Sequence, residues 1–193
     1  MDSLNYLFLP FVEIEIRLGT LGKTFDSSVS KEYFDTILSE LKGFKQWTNV
    51  GTTDTVEYIQ ENVKNINNKK MILKDTIVSK TVQMPNSPFD VRLSIAQEFC
   101  LDSCIDTFSK AECITRTKHR TSFVDKGYKY ELTHVHEKRN NINKEKYEIE
   151  IELIPEDIFD WSLKYINEFL ECKVYDLVNL VETIDRADFK ITF

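Results

Sequence analysis

The sequence predicts an α+β fold: a closed antiparallel β-barrel of about eight strands, with a polar, charged lumen and helices packed outside. Three observations lead there. Most of the chain reads as runs with period-2 alternation, in sequential order and separated by turn residues. Only two stretches carry helical spacing. The charges on the alternating runs are sorted by run and by sign, which the mixed surfaces of ordinary strands are not.

Taken in order, residues 11–19 (FVEIEIRLG) alternate strictly and stop at Gly19. Residues 30–46 read as a helix, with Phe34, Ile37, Leu38 and Leu41 at 3–4 residue spacing and Ser30 as N-cap. Short strands are expected at 54–60, 69–74 and 76–83, with NINN as a turn between the first two. After PNSP come 89–99 (FDVRLSIAQEF), 112–124 (ECITRTKHRTSFV) and 128–137 (YKYELTHVHE). KRNNINKEK reads as a loop, and YEIEIEL at 147–153 as the last strand. Pro155 opens a helix with Glu156 and Asp157 in its first turn, where the helix dipole favours acids. That helix is expected to run to about Thr183, with a break near Lys173.

The 193 residues are 41% hydrophobic, with thirteen phenylalanines and eight tyrosines, enough for one core and one domain over 1–193. Five glycines and four prolines exclude a low-complexity chain. A net charge of −7 gives no overall basic field for duplex DNA, so any polyanion site is local and concave. No signal peptide and no membrane span are read, and LNYLFLPFVEIEI is too short and too interrupted to cross a bilayer. Cys100, Cys104, Cys113 and Cys172 form no CxxC pair and read as thiols of a reduced intracellular protein that is not secreted.

Period-2 alternation places Glu13, Glu15 and Arg17 on one face of the first strand. Glu148, Glu150 and Glu152 share a face of the last, and Arg116, Lys118 and Arg120 share one in between. A wet sheet face explains any one such stripe. Sorting by sign is better explained by a divalent cation held between two acidic stripes, Mg²⁺ or Mn²⁺ suiting carboxylate oxygens. The basic stripe then neutralises a polyphosphate at the other pole, which requires the charged faces to line a lumen. His119 points away from Lys118. His134 and His136 share a face, but no third ligand at zinc spacing accompanies them. No HCx5R loop and no GxxxxGK[ST] loop is present.

The ordered set VEIEIRLG, VRLSIAQE, RTKHR, YELTHV and YEIEIEL, spanning residues 12–153, resembles the triphosphate tunnel metalloenzymes. More narrowly, it resembles the metal-dependent RNA 5′-triphosphatases of fungi and large DNA viruses, with a compact length most like the small algal-virus members. The resemblance implies removal of the γ-phosphate from triphosphate-ended RNA, the first step of mRNA capping, together with nucleoside triphosphatase activity. It implies Glu13, Glu15 and Glu152 as metal ligands, with Glu150 as a further one. Arg116, Lys118 and Arg120 would hold the phosphates, the last two at the γ-phosphate, with Lys74 and Arg92 on neighbouring tunnel strands. Arg17 would orient a phosphate or a glutamate, Glu148 would support the basic side chains, and Glu131 would fill the family's acidic position. Glu98 would position the attacking water. No KxDG motif is present, so capping implies a separate guanylyltransferase. The same tunnel also serves inorganic and thiamine triphosphatases and adenylate cyclase relatives. A third reading is a non-enzymatic barrel that binds an anion.

Overall fold

The computed structural model describes residues 12–67, 69–101, 113–140, 142–183 and 190–191. The strands are β1 (Val12–Leu21), β2 (Phe25–Asp26), β3 (Asn49–Gln60), β4 (Val63–Ile66), β5 (Lys70–Val82), β6 (Asp90–Leu101), β7 (Ile114–Asp125), β8 (Tyr128–Arg139) and β9 (Ile142–Leu153). The helices are α1 (Lys31–Gly43), α2 (Pro155–Ile158) and α3 (Leu163–Val178). The sheet order is β2-β1-β6-β5-β4-β3-β7-β8-β9, and β1 also pairs with β9. Eight strands therefore close into an antiparallel ring, with β2 hung on the end of β1. Closure leaves those eight strands no free edge and commits each to one inner and one outer face.

Packing decides which face is inner. Val12, Ile14, Ile16 and Leu18 of β1 join one buried cluster with Ile149, Ile151 and Leu153 of β9. Phe34, Ile37 and Leu41 of α1 and Ile166, Leu170, Val174 and Leu177 of α3 belong to the same cluster. The apolar faces are thus covered by helices from outside, and the charged faces turn into the barrel. Phe34 meets the Tyr147 ring at 5.3 Å, and Trp47 meets Phe123 at 5.6 Å and Tyr130 at 5.7 Å. The Ser30 side chain caps α1 by accepting from the Tyr33 N–H, as its position before the helical run predicts.

Several element boundaries differ from the sequence reading, and each difference has a local cause. Asn65 and Ile66, the first half of the NINN segment read as a turn, end β4, and Asn67, at φ +52°, makes the turn to β5. The two runs at 69–74 and 76–83 form one strand, β5, with a register shift between Thr76 and Val78 that resets the alternation. KRNNINKEK is no loop: β8 and β9 pair as far as Arg139 and Ile142, with Asn140 at φ +48°. The hairpin's polar ends carry no apolar face, so alternation could not mark them as strand. The helix break falls at 159–162, where Ser162 caps α3 by accepting from Tyr165 N–H, and not near Lys173, which lies within α3. Cys104 lies outside the described residues.

Candidate active site inside the barrel

β1 and β9 bring the two acidic stripes side by side, with Glu15 opposite Glu152 and Arg17 opposite Glu150. Like carboxylates on neighbouring strands repel unless cations intervene. Here lysine and arginine do so. Lys74 of β5 pairs with Glu13, lies 3.4 Å from Glu15, and is 3.8 Å from Glu98, its cross-strand neighbour. Arg17 lies 3.0 Å from Glu15 and 2.9 Å from Glu150. Glu150 also meets Arg120 at 3.1 Å.

The basic stripe of β7 faces its own acids. Arg116 pairs with Glu148 and lies 3.5 Å from Glu137. Lys118 is buried and lies 2.9 Å from Glu57 of β3. Arg120 pairs with Glu131 and donates to Thr133 Oγ1 at 3.0 Å. Ser122 Oγ donates to Glu131 at 3.2 Å. Arg92 stands opposite Arg17 across β1–β6, its guanidinium 4.7 Å from the Phe25 ring centroid rather than on a carboxylate of the acidic stripes. Burial and the Arg17 charge hold Arg92 below the usual arginine range.

The electrostatics divide the glutamates into two kinds. Burial works against ionisation of Glu150, but Arg17, Arg120 and Lys118 hold it far below the usual carboxylate range. It is a satisfied anion. Glu152 is pushed up to about 8 by burial, against Lys129 and with the help of Glu131 and Glu13. Glu13 is raised by burial and by Glu15, against Lys74. Glu13, Glu98, Glu152 and Lys129 line one end of the lumen, a cavity of about 470 Å³. At this end burial and neighbouring carboxylates raise Glu13 and Glu152 in spite of Lys74 and Lys129. An all-oxygen donor set of this kind fits a hard divalent ion.

Of the residues picked from sequence, Glu13, Glu15, Arg17, Lys74, Glu98, Arg116, Lys118, Arg120, Glu131, Glu150 and Glu152 all enter this ion-pair network. Sequence reasoning missed four others. Lys129 lies 3.1 Å from Glu131 and 3.0 Å from Glu152, and the alternation of YKYELT already placed it on Glu131's face. Glu57 holds Lys118, Glu137 approaches Arg116, and Lys64 lies 3.1 Å from Glu98. Lys64 sits on β4, a strand the sequence reading does not assign.

One further group changes a reading. Among the described residues, His134, His136 and Glu145 bring one ligand atom each within 4.8 Å of one another and can hold a metal ion. The third ligand that the sequence lacked is Glu145, directly opposite His136 on β9. Glu145 belongs to KRNNINKEK, where the sequence predicts a loop and the structure has the start of β9.

The comparisons agree with this architecture. The chain is similar to the S. pombe Pct1 RNA triphosphatase, with a TM-score of 0.71 at 18% identity over 90% of this chain and 88% of that one. The same protein in complex with the Spt5 CTD gives 0.69 at 18% identity, over 94% and 91%. The Mimivirus capping enzyme triphosphatase gives 0.62 at 15% identity, over 93% of each chain. At these identities the likeness speaks for the fold. No curated protein matches by sequence. The family described as "mRNA capping enzyme, beta chain" matches residues 43–188, well over half of the chain. By that match the chain belongs to the mRNA capping enzyme beta chain family, and is a metal-dependent phosphohydrolase of the RNA triphosphatase type.

Proposed function

We propose that this protein hydrolyses the γ-phosphate of triphosphate-ended RNA, giving diphosphate-ended RNA and orthophosphate as the first step of capping. The observation that carries the reading is the adjacency of β1 and β9 inside a closed barrel whose β7 presents Arg116, Lys118 and Arg120. Glu13, Glu15 and Glu152 would hold Mg²⁺ or Mn²⁺, which supplies charge neutralisation at the phosphoryl oxygens. Glu150, already saturated by Arg17 and Arg120, acts in this reading by fixing those guanidiniums rather than as a ligand.

The triphosphate lies along the basic stripe. Lys118 and Arg120 meet the γ-phosphate; Arg116, Lys74 and Arg92 meet the remaining phosphates. Catalysis comes mainly from position and charge, because the phosphoryl group passes through a loose transition state. Water adds to the γ-phosphorus as the bond to the β–γ bridging oxygen breaks, and that oxygen leaves on the diphosphate end. Glu98, tethered by Lys64 and Lys74, orients the water. Nucleoside triphosphates enter by the same end, so NTPase activity accompanies RNA hydrolysis. The protein acts inside the host or producing cell, alongside a guanylyltransferase activity. No helix among the described residues is long and apolar enough to cross a membrane.

The test is release of labelled γ-phosphate from triphosphate-ended RNA with Mg²⁺ or Mn²⁺, with EDTA, and with Glu15→Ala. Metal-dependent release that Glu15→Ala lowers at least a hundredfold is expected. Faster turnover of inorganic triphosphate or thiamine triphosphate would move the activity to the other tunnel branches. Failure on every substrate by folded protein would leave an anion-binding barrel.

A further inference from the structure

The outer wall of the barrel carries a group that the phosphate chemistry does not use. His134 and His136 stand two residues apart on β8 and share a face, opposite to the one that carries Glu131 and Thr133 into the lumen. Their rings approach to 4.4 Å between centroids. Across the β8–β9 hairpin, Glu145 faces His136, and its carboxylate lies 3.5 Å from His136 Nδ1. Tyr147 orders two of these three side chains. Its ring stacks on His134 at 4.8 Å and 6°, and its hydroxyl donates to Glu145 Oε2 at 3.2 Å. Outer partners of this kind are what hold imidazole and carboxylate ligands in place at metal sites. His134 Nε2 is buried and has no hydrogen-bond partner, which a bound cation would supply.

We propose that His134, His136 and Glu145 form a second metal site on the outer wall, selective for a borderline transition ion of the Zn²⁺ class. Two imidazoles and one carboxylate are the wrong donors for Mg²⁺, which prefers oxygen and keeps its waters, and suitable ones for Zn²⁺. The widest separation, 4.8 Å, exceeds what bonds of about 2.0–2.1 Å allow, so binding draws the side chains inward. Small rotations suffice, because the His136 and Glu145 side chains are each 57% exposed. Three protein ligands leave a fourth position for water. The ion would tie β8 to β9 on the outer wall, beside Tyr147 and the Phe34 of α1 that packs on it. His119, opposite His134 on β7, is the remaining histidine and is engaged 2.7 Å from Asp54. The inference does not rest on the proposed RNA chemistry, since it uses no lumen residue.

The experiment is calorimetric titration of Zn²⁺ into the full chain in saturating Mg²⁺, so that hard-ion sites are already filled. One equivalent is expected to bind, with affinity unchanged in Glu15→Ala and in His119→Ala. His136→Ala and Glu145→Gln, both at exposed positions that the fold tolerates, should each weaken it at least tenfold. Absence of Zn²⁺ binding in Mg²⁺, binding indifferent to both of those variants, or binding lost in Glu15→Ala would overturn the proposal.

Discussion

Glu152 shows how one buried carboxylate reports on its surroundings. Its ionisation lies near 8 in the folded chain against about 4.5 when unfolded, because burial and the neighbouring acids outweigh Lys129. A folded state that keeps its proton longer than the unfolded chain loses stability as pH rises from about 4.5 through about 8. In EDTA, Glu152→Gln should therefore be neutral near pH 4.5 and stabilising at pH 8. The expected gain is on the order of 1–3 kcal/mol, read from melting curves at the two pH values. The same substitution should abolish metal-dependent phosphate release. Lys118 presents the opposite case. Burial holds its ammonium below the usual range, and Glu57 restrains the shift. Lys118→Ala leaves buried Glu57 without its direct ion-pair partner, with only the longer-range charges of Lys64 and Arg116, which should cost roughly 2–4 kcal/mol in denaturant unfolding, in addition to the loss of turnover. Glu57→Gln, which keeps the shape and the acceptor, should cost clearly less.

At the scale of elements, the β7–β8 hairpin turns within two residues, at Lys126 and Gly127, between the Asp125–Tyr128 pair. Gly127 sits at φ +81°, and a Cβ there would lie 2.8 Å from the Trp161 ring. Gly127→Ala should destabilise the fold by about 1–3 kcal/mol, combining left-handed strain with overpacking. A fall in melting temperature with an unchanged KM would show the effect to be structural, because Trp161 packs with the helices on the outer side. Sequence periodicity located this hairpin because β8 alternates Tyr128, Tyr130 and Leu132 with charged residues, and β7 carries Arg116, Lys118 and Arg120 on one face. It failed at β4 and at the far end of β8–β9, where polar residues occupy both faces and only pairing with neighbours reveals a strand.

For the whole molecule, the end of the lumen where Glu13 and Glu152 are raised above the usual carboxylate range predicts that a divalent ion binds the folded chain and not the unfolded one. Mn²⁺ at a hundred times its dissociation constant should add about 2.7 kcal/mol to wild-type stability. The corresponding upward shift in melting temperature should vanish in Glu15→Ala. A shift of equal size in the variant would mean that the stabilising ion sits elsewhere on the protein. A net charge of −7 does not by itself oppose an anionic ligand, because Arg116, Lys118 and Arg120 present a local positive stripe inside the barrel.

The sequence by itself determined which residues share a face. Glu13, Glu15 and Arg17, Arg116, Lys118 and Arg120, and Glu148, Glu150 and Glu152 follow from a side-chain period of two, which is a local property of extended backbone. The order of these stripes along the chain was also enough to point to the fold class and the family. Which face is inside was not legible, since alternation is symmetric under exchange of the faces; the helices packed on Ile14, Ile16 and Ile151 decided it. Ring closure then set β1 against β9 and opposed Glu15 to Glu152 across 137 positions of sequence. It also separated Glu150, held ionised by arginines, from Glu152, raised by burial and neighbouring acids against Lys129, although the two are neighbours on one stripe. Lys129, Glu57 and Lys64 join the lumen for the same reason. Charge pairing in a closed barrel depends on cross-strand register and diagonal reach, which non-local hydrogen bonding establishes and no single segment encodes.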